Sequence, residues 1–196
     1  MPHIMVLVGQ SGSGKSSLAR ALAHQTNCIA VDTDELLCRR FSTTSIPELL
    51  KTMPATEFID NEGTVFLEAV RRAESLGQAA VIATGGSIVH SVSAWHWLSV
   101  IAPTLPHCRV VWLSVSKAHL DTRYEQQGFT TESRGVVCPE HIPVHGLFDE
   151  RDRLYASVAD VSVHTANRRF NGDIDGTAAM LAGLIGSSLS ENYVPS

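Results

Sequence analysis

Apolar residues along the chain cluster in five short runs, which are rich in β-branched side chains and continuous rather than alternating. The runs lie at residues 4–8, 28–31, 79–83, 110–113 and 161–163. Continuous apolar runs of this length are typical of strands that are buried on both faces, as they are in parallel sheets. The pattern therefore predicts five strands within one sheet.

Helix-favouring segments separate these runs. They lie at residues 16–24, 62–76, 91–98, 117–126, 150–157 and 173–185. Strands that alternate with helices predict right-handed crossovers and a parallel sheet, with ligands bound at the carboxyl ends of the strands. We expect an α/β fold in which helices flank a five-stranded parallel sheet. It would form one domain over residues 1–186, followed by a mobile polar tail over 187–196.

Composition narrows the class of protein. The 196 residues are 44% hydrophobic, which suits one substantial core. The net charge of −5 predicts no extended basic surface, so we do not expect a nucleic-acid partner.

No apolar stretch reaches the ~18 residues of a membrane span. The four cysteines have no close pair, as is typical of reduced thiols. We expect a soluble, cytoplasmic monomer or weak dimer.

Residues 9–16 read Gly-Gln-Ser-Gly-Ser-Gly-Lys-Ser, which matches the phosphate-binding pattern G-x-x-x-x-G-K-[ST] between a predicted strand and helix. Backbone N–H groups of such a loop surround phosphates, and the following helix N-terminus favours negative charge. We expect Lys15 to neutralise the β- and γ-phosphates of ATP, and Ser16 to ligate Mg²⁺. The residues predicted to contact the nucleotide here are Ser11, Gly12, Ser13, Gly14, Lys15 and Ser16.

Two carboxylates follow the second predicted strand, in Asp32-Thr33-Asp34. Phosphoryl transfer can use one carboxylate to hold Mg²⁺ and another to orient the attacking hydroxyl and take its proton. The alternative is that one of them only caps the next helix, as aspartate commonly does.

A series of short segments follows the phosphate-binding loop. The segments, with the pattern that each resembles where there is one, are Asp32 and Asp34 (D-x-D), 45–49 (S-I-x-E-[IL]), 58–62 (F-R-x-x-E), 83–87 (A-T-G-G-G), Leu120 with Arg123, 134–137 (R-P-L-L), 151–155 (R-x-P-L-Y) and 167–169. In this order they resemble the shikimate kinases, P-loop kinases related in fold to the nucleoside-monophosphate kinases. The resemblance runs from about Ile4 to Ala178. It implies a kinase fold with a lid near 128–147 and an acceptor-binding subdomain near 34–62.

The resemblance assigns residues around the nucleotide. Arg123 would lie near the adenine, and Asn167 and Arg168 belong to a segment that is also near the adenine. Arg134 would be the lid arginine over the transferring phosphate, where it can stabilise charge in the transition state. Asp32 would serve Mg²⁺.

The resemblance also assigns residues around the acceptor, a small molecule with a hydroxyl group. Asp34 would be the acceptor-side carboxylate and base. Gly85 and Gly86 would let the backbone approach the acceptor, and Arg151 would contact it.

The match fails at two acceptor-side positions. Ile59 stands where the family has an arginine that holds the acceptor's carboxylate, and Ser87 stands in place of a third glycine. Isoleucine offers no hydrogen-bond donor, so a carboxylate there would lose a charged partner. The residues therefore predict a preference for a neutral polyol, cyclitol or sugar over shikimate.

Other interpretations remain open. An authentic shikimate kinase, a gluconate-type carbohydrate kinase or a nucleotide kinase are alternatives among enzymes. A nucleotide-binding regulatory protein without catalysis is the alternative of another class. Cys138, His141 and His145 have spacing that could ligate Zn²⁺, although they offer only three ligands. We expect His90 and His96 to take part in packing rather than catalysis.

Overall fold

The computed structural model describes residues 3–126, 136–139, 144–165 and 173–190. Five parallel strands form one sheet in the order β2-β3-β1-β4-β5. The strands are β1 (Ile4–Val8), β2 (Ile29–Asp32), β3 (Ala80–Ala83), β4 (Cys108–Ser114) and β5 (Val161–His164). This confirms the predicted α/β fold with a five-stranded parallel sheet.

Helices follow each strand within the described residues. They are α1 (Lys15–Thr26), α2 (Thr33–Arg40), α3 (Ile46–Leu49), α4 (Ala55–Leu76), α5 (Val92–His96), α6 (Lys117–Gln126), α7 (Val144–Val158) and α8 (Ile174–Ser190). A 3₁₀ turn at Ile88–His90 precedes α5, and a π-helical turn at Trp97–Ile101 continues it. None of these helices is long and apolar enough to cross a membrane.

The central strand explains the continuous apolar pattern. All five residues of β1 are buried, because alternate side chains enter the cores on opposite faces of the sheet. On one face Ile4 and Val6 pack in a cluster with residues of α4, α5 and α7. On the other face Met5 and Leu7 pack with residues of α1 and α8. Both faces are covered, as the unbroken run predicted.

The helices after β2 differ most from the prediction. The structure adds α2 and α3, and α4 begins at Ala55 rather than at residue 62. Side chains cap the two short helices: Asp32 Oδ1 accepts from the Asp34 N–H at 3.0 Å, and Ser45 Oγ accepts from the Glu48 N–H at 3.3 Å. Gly63 made the full length of α4 hard to predict from the sequence, because glycine disfavours helices. It lies against α5, where a Cβ would stand 1.9 Å from Ser91 Oγ.

The segment that contains α2, α3 and the start of α4 has its own small hydrophobic cluster. Its buried members include Leu37, Leu49, Phe58 and Ile59, and Val137 joins them from beyond α6. Burying one such side chain stabilises the fold by about 1.5–3 kcal/mol. This cluster packs α2, α3 and the start of α4 against one another.

Candidate active site

The phosphate-binding loop joins β1 to α1 and turns through glycines with positive φ. Gly9, Gly12 and Gly14 have φ values of 146°, 79° and 100°, which residues with a Cβ rarely adopt. Gly9 also lies against the end of β4, where a Cβ would stand 2.6 Å from the backbone oxygen of Leu113. The glycines thus allow a tight turn that ends directly at the N-terminus of α1.

Lys15 folds back onto this loop. Its Nζ donates to the backbone oxygens of Gly9 at 2.7 Å and Gln10 at 2.8 Å. Burial lowers the pKa of the ammonium to about 8, and the charges of Asp34, Asp32 and Glu62 partly offset this effect. The loop backbone therefore solvates the buried ammonium.

Helix α6 holds the middle of the loop. Arg123 donates to the backbone oxygen of Gly12 at 3.1 Å, and the Tyr124 hydroxyl donates to that of Ser11 at 2.6 Å. The structure therefore places Arg123 beside the phosphate-binding loop.

Helix α7 holds the start of the loop through Gln10. The Gln10 Nε2 donates to the backbone oxygen of Phe148 at 3.0 Å and to Asp152 Oδ1 at 2.9 Å. Gln10 is buried, so these bonds satisfy an amide that would otherwise be costly to bury.

A cavity of about 410 Å³ lies along the loop. Residues 11–18 line it, together with Asp34, Thr84, Gly86, Leu113, Arg123, Thr165, Asp173, Ile174 and Thr177. Asn167 and Arg168 lie outside the described residues, but Thr165 and Asp173 on either side of that gap line the cavity. The sequence analysis did not identify Thr165, Asp173 or Thr177, since isolated threonines and aspartates carry no motif.

The two aspartates after β2 have different surroundings. Asp32 caps α2 by accepting from the Asp34 N–H, while Asp34 lines the cavity. Burial and the neighbouring charge of Asp32 raise the pKa of Asp34 to about 6, against the opposing effect of Lys15.

Gly85 and Gly86 pass close to the acidic groups and the loop. The Gly85 N–H donates to Thr33 Oγ1 at 3.0 Å. A Cβ on Gly85 would stand 1.9 Å from Glu62 Oε1 and 2.8 Å from Asp34 Oδ1, and one on Gly86 would stand 3.1 Å from the Ser11 nitrogen. This close approach accounts for both glycines.

Glu62 of α4 is fully buried, and its carboxyl group lies against Gly85 on the same side as that of Asp34. Its Oε2 accepts from the Ser87 hydroxyl at 2.7 Å, whereas its Oε1 has no hydrogen-bond partner among the described residues. Burial, followed by the charge of Asp34, raises the pKa of Glu62 to about 8. A small pocket lies here, and Ser11, Asp34, Glu62, Gly86 and Ser87 supply its polar lining.

Arg151 of α7 is buried nearby. Its Nε donates to His90 Nε2 at 3.2 Å, and its Nη2 donates to the backbone oxygen of Val137. The next turn of α7 carries Tyr155, whose hydroxyl donates to the backbone oxygen of Gly86. His90 thus contacts Arg151, the arginine that was predicted to contact the acceptor.

Ile59 occupies a different position from the carboxylates. It lines a separate cavity of about 700 Å³, with Val89, Val92, Trp95 and Leu154 among the other lining residues. The pocket that contains Asp34 and Glu62 is not lined by Ile59. The structure therefore brings Asp34, Gly86, Ser87 and Ser11 of the loop together around one pocket, whereas Ile59 lines another.

Several predicted residues fall outside the described ranges. Arg134 and His141 do so, and the side chain of His145 is not described. Cys138 is therefore the only member of the possible zinc set whose side chain the structure describes. In the part of the chain that the structure describes, no group of three or more histidine, cysteine, aspartate or glutamate side chains could hold a metal ion.

Glu62 is the main residue that the sequence analysis did not assign. A detectable signal was present, because Glu62 is a charged residue on the apolar face that Phe58, Phe66 and Ala69 define in α4. A buried charge in such a stripe commonly marks a functional site.

Comparisons with known proteins agree with this geometry. A family model described as shikimate kinase matches residues 11–179. The shikimate kinase of Gloeobacter violaceus is 33% identical over 83% of this chain and 83% of its own length. That of Rippkaea orientalis is 36% identical over 60% of this chain and 56% of its own length.

A solved structure extends the agreement to three dimensions. The shikimate kinase of Acinetobacter baumannii, solved in complex with shikimate, superposes with a TM-score of 0.72 at 25% identity. The match covers 96% of this chain and 95% of that one. The chain therefore belongs to the shikimate kinase family and is a small-molecule kinase that acts on an alcohol group.

Proposed function

We propose that this kinase transfers the γ-phosphate of ATP to a hydroxyl group of a small polyhydroxylated acceptor held beside Asp34. The observation that carries the proposal is that two pockets meet at the same three residues. Ser11, Asp34 and Gly86 line both the cavity along the phosphate-binding loop and the small pocket that contains Glu62. A nucleotide phosphate in one pocket and a hydroxyl in the other would meet at Asp34.

Asp34 would orient the attacking hydroxyl and take its proton as the bond to phosphorus forms. The carboxylate is held in place because α2 begins beneath it, capped by Asp32. The hydroxyl oxygen attacks the γ-phosphorus, the bond to the β-phosphate oxygen breaks, and ADP leaves. Charge spreads over the transferring phosphoryl oxygens during this step.

Lys15 would meet the phosphates by exchanging its bonds to the Gly9 and Gln10 oxygens for phosphate oxygens. Arg123 supports the same end of the cavity through its bond to Gly12. We extend the proposal to Arg134 over the phosphate and to Asn167 and Arg168 near the adenine, on the basis of motif position alone.

The donor set suits Mg²⁺. Ser16 at the start of α1 and the carboxylate of Asp32 would supply oxygen ligands, and Mg²⁺ in phosphoryl-transfer sites takes one or two protein ligands together with phosphates and waters. Because the nucleotide supplies several ligands, no all-protein cluster is required. When bound, the ion would neutralise charge on the β- and γ-phosphates.

Shikimate is a second candidate acceptor. The relatives that this chain resembles are shikimate kinases, which favours shikimate. The position of Arg151 close to Gly86 favours it too. Against it, both described bonds of Arg151 are to groups of the protein itself. The ATP-dependent chemistry and the four free cysteines suit the cytoplasm, where we place the enzyme as a monomer or weak dimer.

An acceptor screen coupled to ADP release tests the proposal. The panel contains shikimate, neutral cyclitols, sugars, gluconate and nucleoside monophosphates, and Asp34→Asn is the matched control. We expect ADP release to depend on one acceptor and to fall at least about 100-fold in the control. ATP retention without acceptor-dependent turnover for any compound would favour a regulatory nucleotide-binding protein instead.

A further inference from the structure

Two groups of the protein fix the orientation of the Arg151 guanidinium, which is buried. The Arg151 Nε donates to His90 Nε2 at 3.2 Å, and Nη2 donates to the backbone oxygen of Val137. Neither bond uses Nη1, which lies beside Gly86: a Cβ on Gly86 would stand 3.7 Å from it. Gly86 lines both the cavity along the phosphate-binding loop and the small pocket that contains Asp34. Nη1 is therefore the end of the guanidinium that an acceptor beside Gly86 would meet.

His90 is itself held by the turn that follows the glycine pair. Ile88–His90 forms this 3₁₀ turn, in which the His90 N–H donates to the backbone oxygen of Ser87 at 2.8 Å. The side chains of Ile88 and Val89 are buried in the core and anchor the turn. The backbone of His90 is therefore fixed relative to the glycine pair, and its bond to Arg151 ties α7 to the same segment.

The chemistry of the two side chains decides which one accepts in their hydrogen bond. A guanidinium has only donors, so the imidazole accepts, and Nε2 can accept only in the neutral ring that carries its proton on Nδ1. Packing alone would not require a nitrogen at this position, since most other residues that line the cavity next to His90 are apolar, among them Ile59, Val92 and Trp95. Loss of the nitrogen would leave a buried, charged donor without its partner.

We propose that His90 is a positioning residue for acceptor binding, because it holds the guanidinium of Arg151 in the orientation that presents Nη1 to the acceptor beside Gly86. This inference rests on the proposed function, since it takes Arg151 as a residue that contacts the acceptor. Asp34, not Arg151, would receive the hydroxyl that reacts. Arg151 would therefore hold the acceptor similarly in the ground state and the transition state, and its loss of orientation should raise the KM for the acceptor without lowering kcat.

Three variants separate positioning from packing. His90→Leu keeps a side chain that suits the apolar neighbours but removes the accepting nitrogen. His90→Gln restores an acceptor, because its amide oxygen can take the place of Nε2. His96→Leu changes an exposed histidine at the end of α5 and is the matched control. The acceptor used is the compound of the screening panel that gives the highest rate of ADP release.

We expect His90→Leu to raise the KM for the acceptor by about 10- to 100-fold, as for the loss of a hydrogen bond to a buried charge. Its kcat and its KM for ATP should change less than about threefold, because Asp34 and the phosphate-binding loop are intact. His90→Gln should recover most of the acceptor affinity, and His96→Leu should behave as wild type. A histidine that only filled space would give the reverse order, with leucine tolerated better than glutamine.

A measurement on the wild-type protein tests the bond without any ligand. Nitrogen NMR of isotope-labelled histidine distinguishes the two neutral tautomers of the ring, and the spectrum of His90→Gln identifies the His90 signals. At about pH 8, where imidazoles are ordinarily neutral, we expect the proton on Nδ1 of His90 and none on Nε2. This result does not depend on whether His90→Leu folds.

Four results would overturn the inference. They are an unchanged acceptor KM in His90→Leu, a loss in that variant confined to kcat, equal impairment of His90→Gln and His90→Leu, and a proton on Nε2 of His90 in the wild type.

Calorimetric binding of the panel compounds, with a non-hydrolysable ATP analogue present, makes the same comparison without turnover. If a compound binds and His90→Leu weakens that binding, but no compound promotes ADP release, the proposed function alone fails. If no compound binds the wild type, the inference fails with it.

Discussion

The two halves of the active site differ in the groups that form them, which are mainly backbone on one side and mainly side chains on the other. The nucleotide side is mainly backbone: glycines turn the loop, and Lys15, Arg123 and Tyr124 all bond to its carbonyl oxygens. The acceptor side depends on side chains, and it leaves Glu62 Oε1 without a partner among the described residues. Backbone geometry fixes a chemistry common to many substrates, whereas side-chain carboxyls can be exchanged to change the acceptor. The contrast predicts that changes on the two sides will have different signatures.

The largest effect should come from Asp34, where the two sides meet. Asp34→Asn keeps the side-chain size but removes the proton acceptor, so we expect kcat to fall about 10²- to 10⁴-fold. The KM for ATP should change little, because Lys15 and the loop are intact. Steady-state ADP release at saturating acceptor measures both quantities. Equal rates for variant and wild type would show that Asp34 has only a structural role.

The second largest effect should come from a change confined to the nucleotide side. Lys15→Ala should lower kcat by about 10²-fold and also weaken ATP binding, since it removes the ammonium that meets the phosphates. ADP release and nucleotide titration measure these effects. Lys51→Ala removes an exposed lysine and is the control. If Lys15→Ala kept more than about a tenth of the wild-type rate, the role given to this lysine would be wrong.

On the acceptor side, Glu62→Gln should stabilise the protein at high pH. The folded-state pKa of Glu62 is raised to about 8 from 4.5, so folding binds a proton and wild-type stability falls as pH rises from about 4.5 to 8. The variant lacks this loss. Its free energy of unfolding should therefore exceed that of the wild type by about 2–5 kcal/mol at pH 8.5, where the upper value is the full linkage between a pKa of about 8 and one of 4.5.

Urea unfolding at pH 5 and pH 8.5 measures this difference, which should almost vanish at pH 5. The charge of Glu62 also raises the pKa of Lys15, so the difference between the two proteins reports Glu62 together with its coupling to Lys15. A stability difference that is the same at both pH values would show that Glu62 does not carry a raised pKa.

The smallest effect should follow the loss of one anchor of the nucleotide side. Gln10→Ala removes two hydrogen bonds to α7, to Phe148 and Asp152, but leaves the loop glycines and Lys15 in place. We expect a loss of about 1–2 kcal/mol of stability and less than a tenfold change in the KM for ATP. Thermal unfolding and ATP titration measure these changes. A loss of turnover as large as that of Lys15→Ala would mean that the loop needs α7 to form.

The parts that could be predicted from sequence are those that a local pattern encodes. The five strands followed from runs that are buried on both faces, and the phosphate-binding loop followed from glycine and lysine spacing. Helices α2 and α3 were missed because they are short and begin at side-chain caps rather than with a long periodic pattern.

The acceptor side was harder to predict because motif position does not give side-chain direction. Ile59 stays a predicted acceptor-side residue; it lines a cavity with Val92 and Trp95 rather than the pocket that contains Asp34. Glu62 is only three residues away, on a neighbouring part of the same helix face, and it reaches the pocket with Asp34. Which of the two faces the substrate depends on how α4 packs, and that packing depends on contacts distant in sequence.

The close approach of Gly85 to Glu62 limits how this enzyme can evolve. Every amino acid other than glycine would place a Cβ 1.9 Å from Glu62 Oε1 and 2.8 Å from Asp34 Oδ1, so both carboxyl groups would have to move. A single mutation at position 85 would therefore disturb two acidic side chains of the site at once. We expect a change of acceptor to arise more readily through position 62 than through position 85.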